Sequence, residues 1–480
     1  MGKYALGYEQ GNGSTYFLRI KIVAGILKID QARIIAELSQ KYGRDYLEVT
    51  TRQDIQLHWI KDEDAPSIFS KLEEAGLCTD MCGQYYPKAG NGDVRNIVTC
   101  PLTGIQPHEI IETSSIVKKA VEMFTGRKEY LDLPRKFKIG VSSCPINCIK
   151  PEVNDLALVA VESEHGLGFT PLVGGSLGFP PSLAQPLNVF VPLDEVLEFI
   201  RAVVEVYRDH GLRNRKATAR FKWLIREVGL NRVKELIQEK MSKSFQYLDC
   251  SKISLEWGEH NIISQEKDPR LYSLMVPTFT GILNVNQFKK IIEIAERYSD
   301  EIRVSPAQKL VLVHIPEDEL MKVKEELKTL GLDSEQPLIK IRTRACPSDF
   351  CGKSFESSKK RATTLLDYLI NKFGKDLEKL DVSISISGCP NSCSQHIVSD
   401  IGLQSTTISK NGVSIPCFNL YVRGRESKIS KLLIRNIPSE QVSLVIEDIL
   451  RKFMNSGLTD FHEFADRLLE GDFIHEGRSM

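Results

Sequence analysis

The hydrophobic pattern of the first 76 residues predicts a β-α-β-α unit. Residues 16–27 have the composition of a strand, and residues 30–42 carry apolar side chains at helical spacing. Residues 46–59 alternate polar and apolar side chains in their second half, which predicts one long, half-buried strand. A second helix is predicted over residues 62–76. This order of elements is typical of half of a ferredoxin-like split unit.

The same plan recurs later in the chain. Gly25 recurs 256 positions later as Gly281, and Gln53 recurs 255 positions later as Gln308. So steady an offset indicates an ancient duplication, and its period is too long for a solenoid. The sequence therefore predicts two fused, pseudo-symmetric halves.

We expect an α+β fold in which each half is a ferredoxin-like half-unit followed by a mixed α/β domain. A chain of 480 residues is long enough for several domains. The expected boundaries are 1–80, 81–245, 246–335 and 336–480. The further elements that we predict are strands over 94–102 and 133–141, a strand around Leu420, and helices over 114–124, 193–209, 439–455 and 460–469.

Composition narrows the class of protein without deciding it. The chain has 63 Lys and Arg residues and 63 Asp and Glu residues, so its formal net charge is zero. A net charge of zero gives no reason to expect binding to nucleic acid or to a membrane surface. No apolar run reaches membrane-spanning length, and the N-terminal residues lack the apolar core of a secretory signal. The eleven cysteines are then expected to be reduced thiols, and the protein to be soluble and cytoplasmic.

Candidate chemistry is concentrated in residues 387–396, SGCPNSCSQH. Cys389 and Cys393 would share one face if the segment after Gly388 turned as a helix. Cys346 and Cys351 form another close pair upstream. Four thiols in two close pairs are what a cubane iron–sulfur cluster or a four-cysteine zinc site requires.

This stretch, followed by IVSDIG, resembles the signature of the sulfite and nitrite reductases that contain sirohaem and a [4Fe–4S] cluster. The resemblance covers most of the chain and implies the same two cofactors. It implies cluster ligands at Cys346, Cys351, Cys389 and Cys393, with Cys393 also bridging to the sirohaem iron. The first pair is C-x4-C here, one residue shorter than the C-x5-C of the family.

The resemblance also implies a substrate site and further cofactor contacts. The substrate-binding bases of the family match Arg52 in TTRQ, Arg95 in VRN, and Lys136 and Lys138 in LPRKFK. The cofactor carries eight carboxylates, so the basic run over 213–222 is a candidate for contact with it. The cofactor-binding residues implied in this way are Asn391, Gln395, Cys393 and Arg215.

The two halves are not equivalent. Cys100, Cys144 and Cys148 repeat three of the four cluster positions, but Ile105 stands where the fourth thiol would be. Cys78 and Cys82 form another C-x3-C pair nearby. We expect one cluster and one sirohaem, with the bases supplied by the first half and the cluster by the second. A second cluster in the first half is the open alternative.

The resemblance implies an assimilatory sulfite reductase, which reduces sulfite to sulfide with six electrons and is fed by ferredoxin. Nitrite reductase with the same cofactors is the first alternative. A non-catalytic iron–sulfur carrier, a four-cysteine zinc domain and a precorrin-3B synthase are more remote, because none of them gives the four bases a clear role. Lys138 favours sulfite, since nitrite enzymes of the family tend to have asparagine there.

Overall fold

The computed structural model describes residues 3–9, 14–81, 92–425 and 427–472. The chain divides into two compact units. The larger contains Met1–Glu9, Gly13–Ser176 and Ser182–Ser334, and the smaller contains Leu177–Pro181 and Glu335–Met480. Strands and helices within the described ranges form the mixed α+β architecture, with two pseudo-symmetric halves, that the sequence predicts. No helix in these ranges is long and apolar enough to cross a membrane.

The first ferredoxin-like sheet belongs mainly to the N-terminal part of the chain. Its strands, in order across the sheet, are Leu6–Tyr8, Tyr16–Lys21, Asp54–Ile60, Tyr46–Val49 and Ile282–Asn284, with Cys78–Thr79 paired to Tyr16–Lys21. The helices of this region are Ile29–Tyr42 and Ala65–Glu74.

The second ferredoxin-like sheet repeats this arrangement. Its strands, in order, are Ile263–Gln265, Leu271–Val276, Lys309–Pro316, Glu301–Ser305 and Ile26–Lys28, and its helices are Val285–Tyr298 and Leu320–Thr329. Each sheet therefore ends in a short strand contributed by the other half. This exchange joins the two half-units around one hydrophobic core, to which both contribute apolar residues from their sheets and helices.

Two predicted strands at the start of the chain are wrong. The stretch 16–27 is interrupted by a 3-10 turn at Val23–Gly25, so its first strand ends at Lys21, and Ile26–Lys28 pairs in the second sheet instead. Residues 46–59 form two antiparallel strands, because the chain turns back at Thr50–Gln53. Gln53 has φ of 56° and Gln308, its counterpart, has φ of 61°. Each glutamine side chain donates to a backbone carbonyl of the other half, Gln53 to Val304 at 2.8 Å and Gln308 to Val49 at 3.4 Å. The turn thus has a structural role that alternation of side chains does not reveal.

In two further sheets, loops that contain cysteines directly follow parallel strands. We call these the first and second cysteine-loop sheets. The strands of the first, in order, are Gln246–Tyr247, Val189–Pro192, Gly166–Val173, Leu156–Ser163, Ile139–Ser142 and Val98–Thr99, with Gln185–Pro186 paired to Gly166–Val173. Its helices are Ser114–Phe124, Val196–His210, Phe221–Val228 and Leu230–Met241.

The second cysteine-loop sheet lies in the smaller unit. Its strands, in order, are Arg344–Ala345, Ile384–Ser387, Ile401–Lys410, Val413–Val422 and Lys431–Pro438. Its helices are Leu338–Ile341, Ser358–Phe373, Val442–Asn455 and Phe461–Glu470.

The predicted helices agree with the structure more closely than the predicted strands. The helix over 114–124 has the observed bounds, and the others differ by a few residues. The strand over 94–102 is reduced to a bridge at Val94 and the pair Val98–Thr99, since the chain turns at Cys100–Pro101. The strand over 133–141 pairs regularly only from Ile139, with a bridge at Phe137.

Candidate functional site

The cysteine pairs of the smaller unit are brought together by two parallel strands. Arg344–Ala345 pairs with Ile384–Ser387 in parallel register. Cys346 follows the first strand directly and Cys389 follows the second after one glycine. Because parallel strands end at the same edge of a sheet, both cysteine loops leave from one place.

Backbone contacts hold the two loops against each other. The Gly388 N–H donates to Cys346 Sγ at 3.2 Å, and the Ser358 hydroxyl lies 3.5 Å from the same sulfur. A Cβ on Gly388 would lie 2.0 Å from Ser354 Oγ, so only glycine allows this close approach. The glycine before the second cysteine pair is therefore required by packing against the loop of the first pair.

We expected Cys389 and Cys393 to share one face if the segment after Gly388 formed a helix. The segment is not helical. Ser392 has φ of 53° and Gln395 has φ of 67°, so the chain passes through successive turns. The buried hydroxyls of Ser387 and Ser394 lie 2.6 Å apart and close this loop. The thiols are gathered by a chain of turns whose positive φ angles no helical pattern would indicate.

The electrostatics of these thiols fit an iron–sulfur cluster. Burial, together with nearby Cys393 and Cys389, raises the pKa of Cys346 to about 12. Burial also raises the pKa of Cys389, although the Asn391 backbone N–H donates to it, and Cys393 and Cys351 raise this pKa further. Burial and mutual repulsion disfavour four thiolates in one place. A bound metal centre offsets this, because its positive charge stabilises the thiolate form of each cysteine. The four thiols therefore fit the cluster that the sequence predicts, two of them, Cys351 and Cys393, being exposed.

The residues beside the thiols differ in exposure. Asn391 is exposed, whereas Gln395 is half-buried and accepts at its backbone carbonyl from Ser399 Oγ at 3.2 Å. His396 is buried with no hydrogen-bond partner for Nδ1, and burial lowers its pKa to about 3. The imidazole is consequently neutral near pH 7.

Asp400 anchors the end of this loop. Its carboxylate accepts from the Ser383 N–H at 2.8 Å, from Arg423 at 2.9 Å and from His462 Nε2 at 2.7 Å. Burial alone would raise the pKa of Asp400, but His462 and Arg423 hold it well below its usual range. The carboxylate is therefore ionised and fixes the strand that precedes the second cysteine pair.

In the larger unit, backbone pairing brings together the chain segments that carry three of the predicted bases. The Arg95 N–H donates to the Phe137 carbonyl at 2.9 Å, which places Arg95 beside Lys136 and Lys138. Phe137 is buried in the hydrophobic core, so its two lysine neighbours project to the opposite side and are half-buried. Arg95 is itself buried and pairs with Asp93 at 3.1 Å.

Arg52 comes from the Thr50–Gln53 turn and reaches the same region. Its guanidinium donates to the Asn154 side chain at 2.6 Å and to the backbone carbonyls of Asn96 at 2.6 Å and Ile139 at 2.8 Å. Burial lowers the pKa of Arg52 to about 10. The arginine thus connects the turn to the residues that follow Arg95 and Lys138.

Asp155 anchors this basic region as Asp400 anchors the thiols. It accepts from the Lys138 N–H at 2.8 Å and from Arg220 in a bidentate pair at 2.6 and 3.1 Å. Within the basic run, Lys222 is buried, and burial followed by Arg220 lowers its pKa to about 8. Arg215 is exposed.

The three thiols of the first half that repeat cluster positions, Cys100, Cys144 and Cys148, form a group with a histidine that the sequence did not predict. In the larger unit Cys100, Cys148 and His260 present ligand atoms that all lie within 4.8 Å of one another. Cys144 is in hydrogen-bonding contact with Cys100 and His260. Cys78 lies apart in the strand Cys78–Thr79, and Cys82 lies outside the described residues. His260 has no spacing relation to the cysteines, so no sequence motif could have indicated it.

Family models match most of the larger unit. The model described as nitrite and sulphite reductase 4Fe-4S domain matches residues 90–245. The model described as nitrite/sulfite reductase ferredoxin-like half domain matches residues 8–75 and again residues 263–330. The second match falls on the two half-units that exchange strands.

Individual proteins match over nearly the whole chain. Sulfite reductase [ferredoxin] 1 of Mycolicibacterium paratuberculosis is 30% identical over 95% of this chain and 82% of that protein. The ferredoxin–nitrite reductase of Leptolyngbya laminosa is 32% identical over 94% of this chain and 88% of that protein. The solved structure of the Mycobacterium tuberculosis NirA protein superimposes with a TM-score of 0.88 at 27% identity, covering 98% of this chain and 89% of that one.

Proposed function

Because the chain belongs to the nitrite and sulfite reductase family, whose members pair a sirohaem with a [4Fe–4S] cluster, we propose that it reduces sulfite to sulfide with electrons from a ferredoxin. The relatives include sulfite and nitrite reductases at 30% and 32% identity, so overall similarity does not choose the substrate. The choice is carried by the residues that would meet the anion.

The observation that carries the proposal is the pairing of Arg95 with the Lys136–Lys138 segment. The Arg95 N–H to Phe137 carbonyl bond, at 2.9 Å, holds the backbone of Arg95 against residues 136–138, and we propose that the three side chains act on one anion. Sulfite carries two charges and three oxygens, whereas nitrite carries one charge and two oxygens. An additional cation therefore stabilises bound sulfite more than bound nitrite.

The bases offset a repulsion that the substrate would otherwise meet. Sulfite is a strongly hydrated anion and must approach a macrocycle that is itself rich in carboxylates. Each charge-assisted hydrogen bond contributes on the order of 1.5–3 kcal/mol. Half-buried lysines act in a less polar medium than water, so their attraction for the anion is greater than at an exposed surface.

The cofactors supply the electron transfer, and we propose that the protein holds them through its thiols and bases. Cys346, Cys351, Cys389 and Cys393 would bind the cluster, and Cys393 would also bind the sirohaem iron. Asn391, Gln395 and Arg215 are proposed contacts for the sirohaem.

Reduction of the sulfite dianion to HS⁻ consumes six electrons and seven protons and releases three waters. The proposed proton donors are the N–H groups of Lys136, Lys138, Arg52 and Arg95, directly or through ordered water. Lysine is the better donor of the two types, because its ordinary pKa lies closer to neutral pH than that of arginine.

A reducing compartment suits this chemistry. All ten cysteines in the described ranges are free thiols, including Cys78 and Cys417, which lie away from any proposed cluster. Free thiols and iron–sulfur clusters are typical of the cytoplasm rather than of oxidising compartments. We therefore propose that the protein works in the cytoplasm, in the assimilation of sulfur.

The test is a comparison of kcat/KM for sulfite and for nitrite on the holoenzyme, with one artificial reductant for both. The proposal predicts a higher value for sulfite. Nitrite reductase is the second candidate, favoured by the 32% identity to a ferredoxin–nitrite reductase. A higher value for nitrite would overturn the proposal and make that candidate the function. The absorption spectrum of the same preparation must show sirohaem, or neither reductase assignment holds.

A further inference from the structure

Cys100, Cys144, Cys148 and His260 form a group of thiols and one imidazole in the larger unit. In the duplication, this group corresponds to the proposed cluster site of the second half. Val98–Thr99 and Ile139–Ser142 are parallel, as are Arg344–Ala345 and Ile384–Ser387. Cys100 follows the first of these strands and Cys144 follows the second. Three thiols therefore leave one sheet edge in the first half, where the second half has four.

The fourth ligand position of this half is taken by a residue from another segment. Ile105 stands where the second half has Cys351, but His260 Nε2 lies 3.0 Å from Cys100 Sγ. Cys100, Cys148 and His260 present ligand atoms within 4.8 Å of one another, and Cys144 contacts Cys100 and His260. The structure thus gathers three thiols and one imidazole.

His260 is delivered by a segment that is anchored on the loop of Cys144 and Cys148. The Gly258 N–H donates to the Ile146 carbonyl at 2.7 Å. The Asn147 side chain donates to the carbonyls of Ser254 at 3.3 Å and Glu256 at 3.2 Å. The histidine is therefore fixed by contacts to the very loop that carries two of the thiols.

The surroundings argue against a reactive thiol. Cys100 has 1% of its surface exposed, so an outside substrate does not reach its sulfur. Cys100 and Cys148 pack against Leu102, Ile105, Val311 and Val313, which exclude water from these two thiols. The Gln106 side chain donates an N–H to Cys100 Sγ at 3.7 Å, the kind of contact that supports a metal-bound thiolate.

We propose that Cys100, Cys144, Cys148 and His260 bind a single zinc ion with a structural role. Zinc–ligand bonds of about 2.3 Å to sulfur and about 2.0–2.1 Å to nitrogen give tetrahedral edges of about 3.6–3.8 Å. The ligand atoms of Cys100, Cys148 and His260 lie within 4.8 Å of one another, and the 3.0 Å contact between His260 and Cys100 would open by about 0.6 Å to admit the ion. A cubane cluster would hold its thiolates much further apart, since four irons lie between them.

Four protein ligands leave no open position, which is typical of structural rather than catalytic zinc. The ion would tie together three segments that have little regular structure of their own: residues 100–106, 144–148 and 253–262. It would join the first cysteine-loop domain to the chain that enters the second ferredoxin-like half. The first-half copy of the cluster site would then have kept three thiols but would bind zinc in place of an iron–sulfur cluster.

The experiment is metal analysis of the full-length holoenzyme, expressed with zinc and iron in the medium. The proposal predicts about one zinc per chain, with zinc-edge X-ray absorption showing three sulfurs at about 2.3 Å and one nitrogen at about 2.0 Å. His260→Ala and Cys100→Ser should each lose at least about four-fifths of the zinc by lowering its affinity. Iron and sirohaem per chain should not change in His260→Ala.

Two matched variants serve as controls. Cys250→Ser removes another buried thiol, and His165→Ala removes another histidine, both in the larger unit. Each should keep its zinc. The proposal is overturned if wild type contains almost no zinc, if His260→Ala retains it, or if iron rises to the content of two clusters and falls in His260→Ala. The zinc content and absorption spectrum of wild type decide the matter even if a variant does not fold.

Discussion

Asp155 accepts a hydrogen bond from the backbone N–H of Lys138 at 2.8 Å. The duplication repeats this contact in the other half, where Asp400 accepts from the Ser383 N–H, also at 2.8 Å. Each aspartate is additionally bound by an arginine, Arg220 in one half and Arg423 in the other. One buried carboxylate therefore fixes the segment that carries the bases, and its counterpart fixes the segment that leads to the thiols.

Asp155→Asn should weaken sulfite reduction without removing the cofactors. The amide cannot accept from both Lys138 and Arg220 as the carboxylate does, so Lys138 loses its fixed position. We expect kcat/KM for sulfite to fall about tenfold, which corresponds to about 1.4 kcal/mol. Steady-state kinetics at equal sirohaem content would measure this. Asp132→Asn, which removes the exposed partner of Arg213, should leave kcat/KM unchanged.

Asp400→Asn should alter the pH dependence of stability. The pKa of Asp400 is held below its usual range, so the carboxylate stabilises the fold above the unfolded-state pKa of about 4 and loses this contribution as pH falls. Melting temperatures should show wild type well above the variant at pH 7. The difference should narrow from pH 5 to pH 3. A difference that is constant with pH would mean that the charge of Asp400 does not contribute.

Cys393→Ser should lose both the cluster and the sirohaem. Serine is a poor ligand for either iron centre, and the proposed bridge makes the loss of one affect the other. Iron and sirohaem would be determined on the purified variant. Cys417→Ser, which alters a buried thiol in a strand of the same unit, should keep both. Full occupancy of both cofactors in Cys393→Ser would remove Cys393 from the bridging role.

Lys138→Asn should lose more sulfite activity than nitrite activity. The difference in transition-state stabilisation should be on the order of 1–2 kcal/mol, because the doubly charged anion loses more from removal of one cation. Both activities would be measured with one reductant. Lys118→Asn removes an exposed lysine of the helix Ser114–Phe124, outside the proposed site, and should change neither. Equal losses of the two activities in Lys138→Asn would show that this lysine does not select the substrate.

The fold class and the duplication could be predicted from the sequence, because hydrophobic periodicity and a repeated pattern are visible in it, whereas the four cluster ligands remain a prediction that rests on the family resemblance. The turn at Thr50–Gln53 could not, since Gln53 adopts a positive φ to bond Val304 in the other half. His260 escaped prediction for the same reason, because its approach to Cys100 depends on the anchoring of its segment by Asn147. Contacts between segments far apart in sequence leave no pattern in either one.

The most direct test of the account is the yield of sulfide per electron delivered by reduced ferredoxin to the holoenzyme with sulfite. The account predicts one sulfide for every six electrons, with no accumulation of partly reduced sulfur species. An absence of sulfide, while the same preparation reduces nitrite to ammonia, would contradict it.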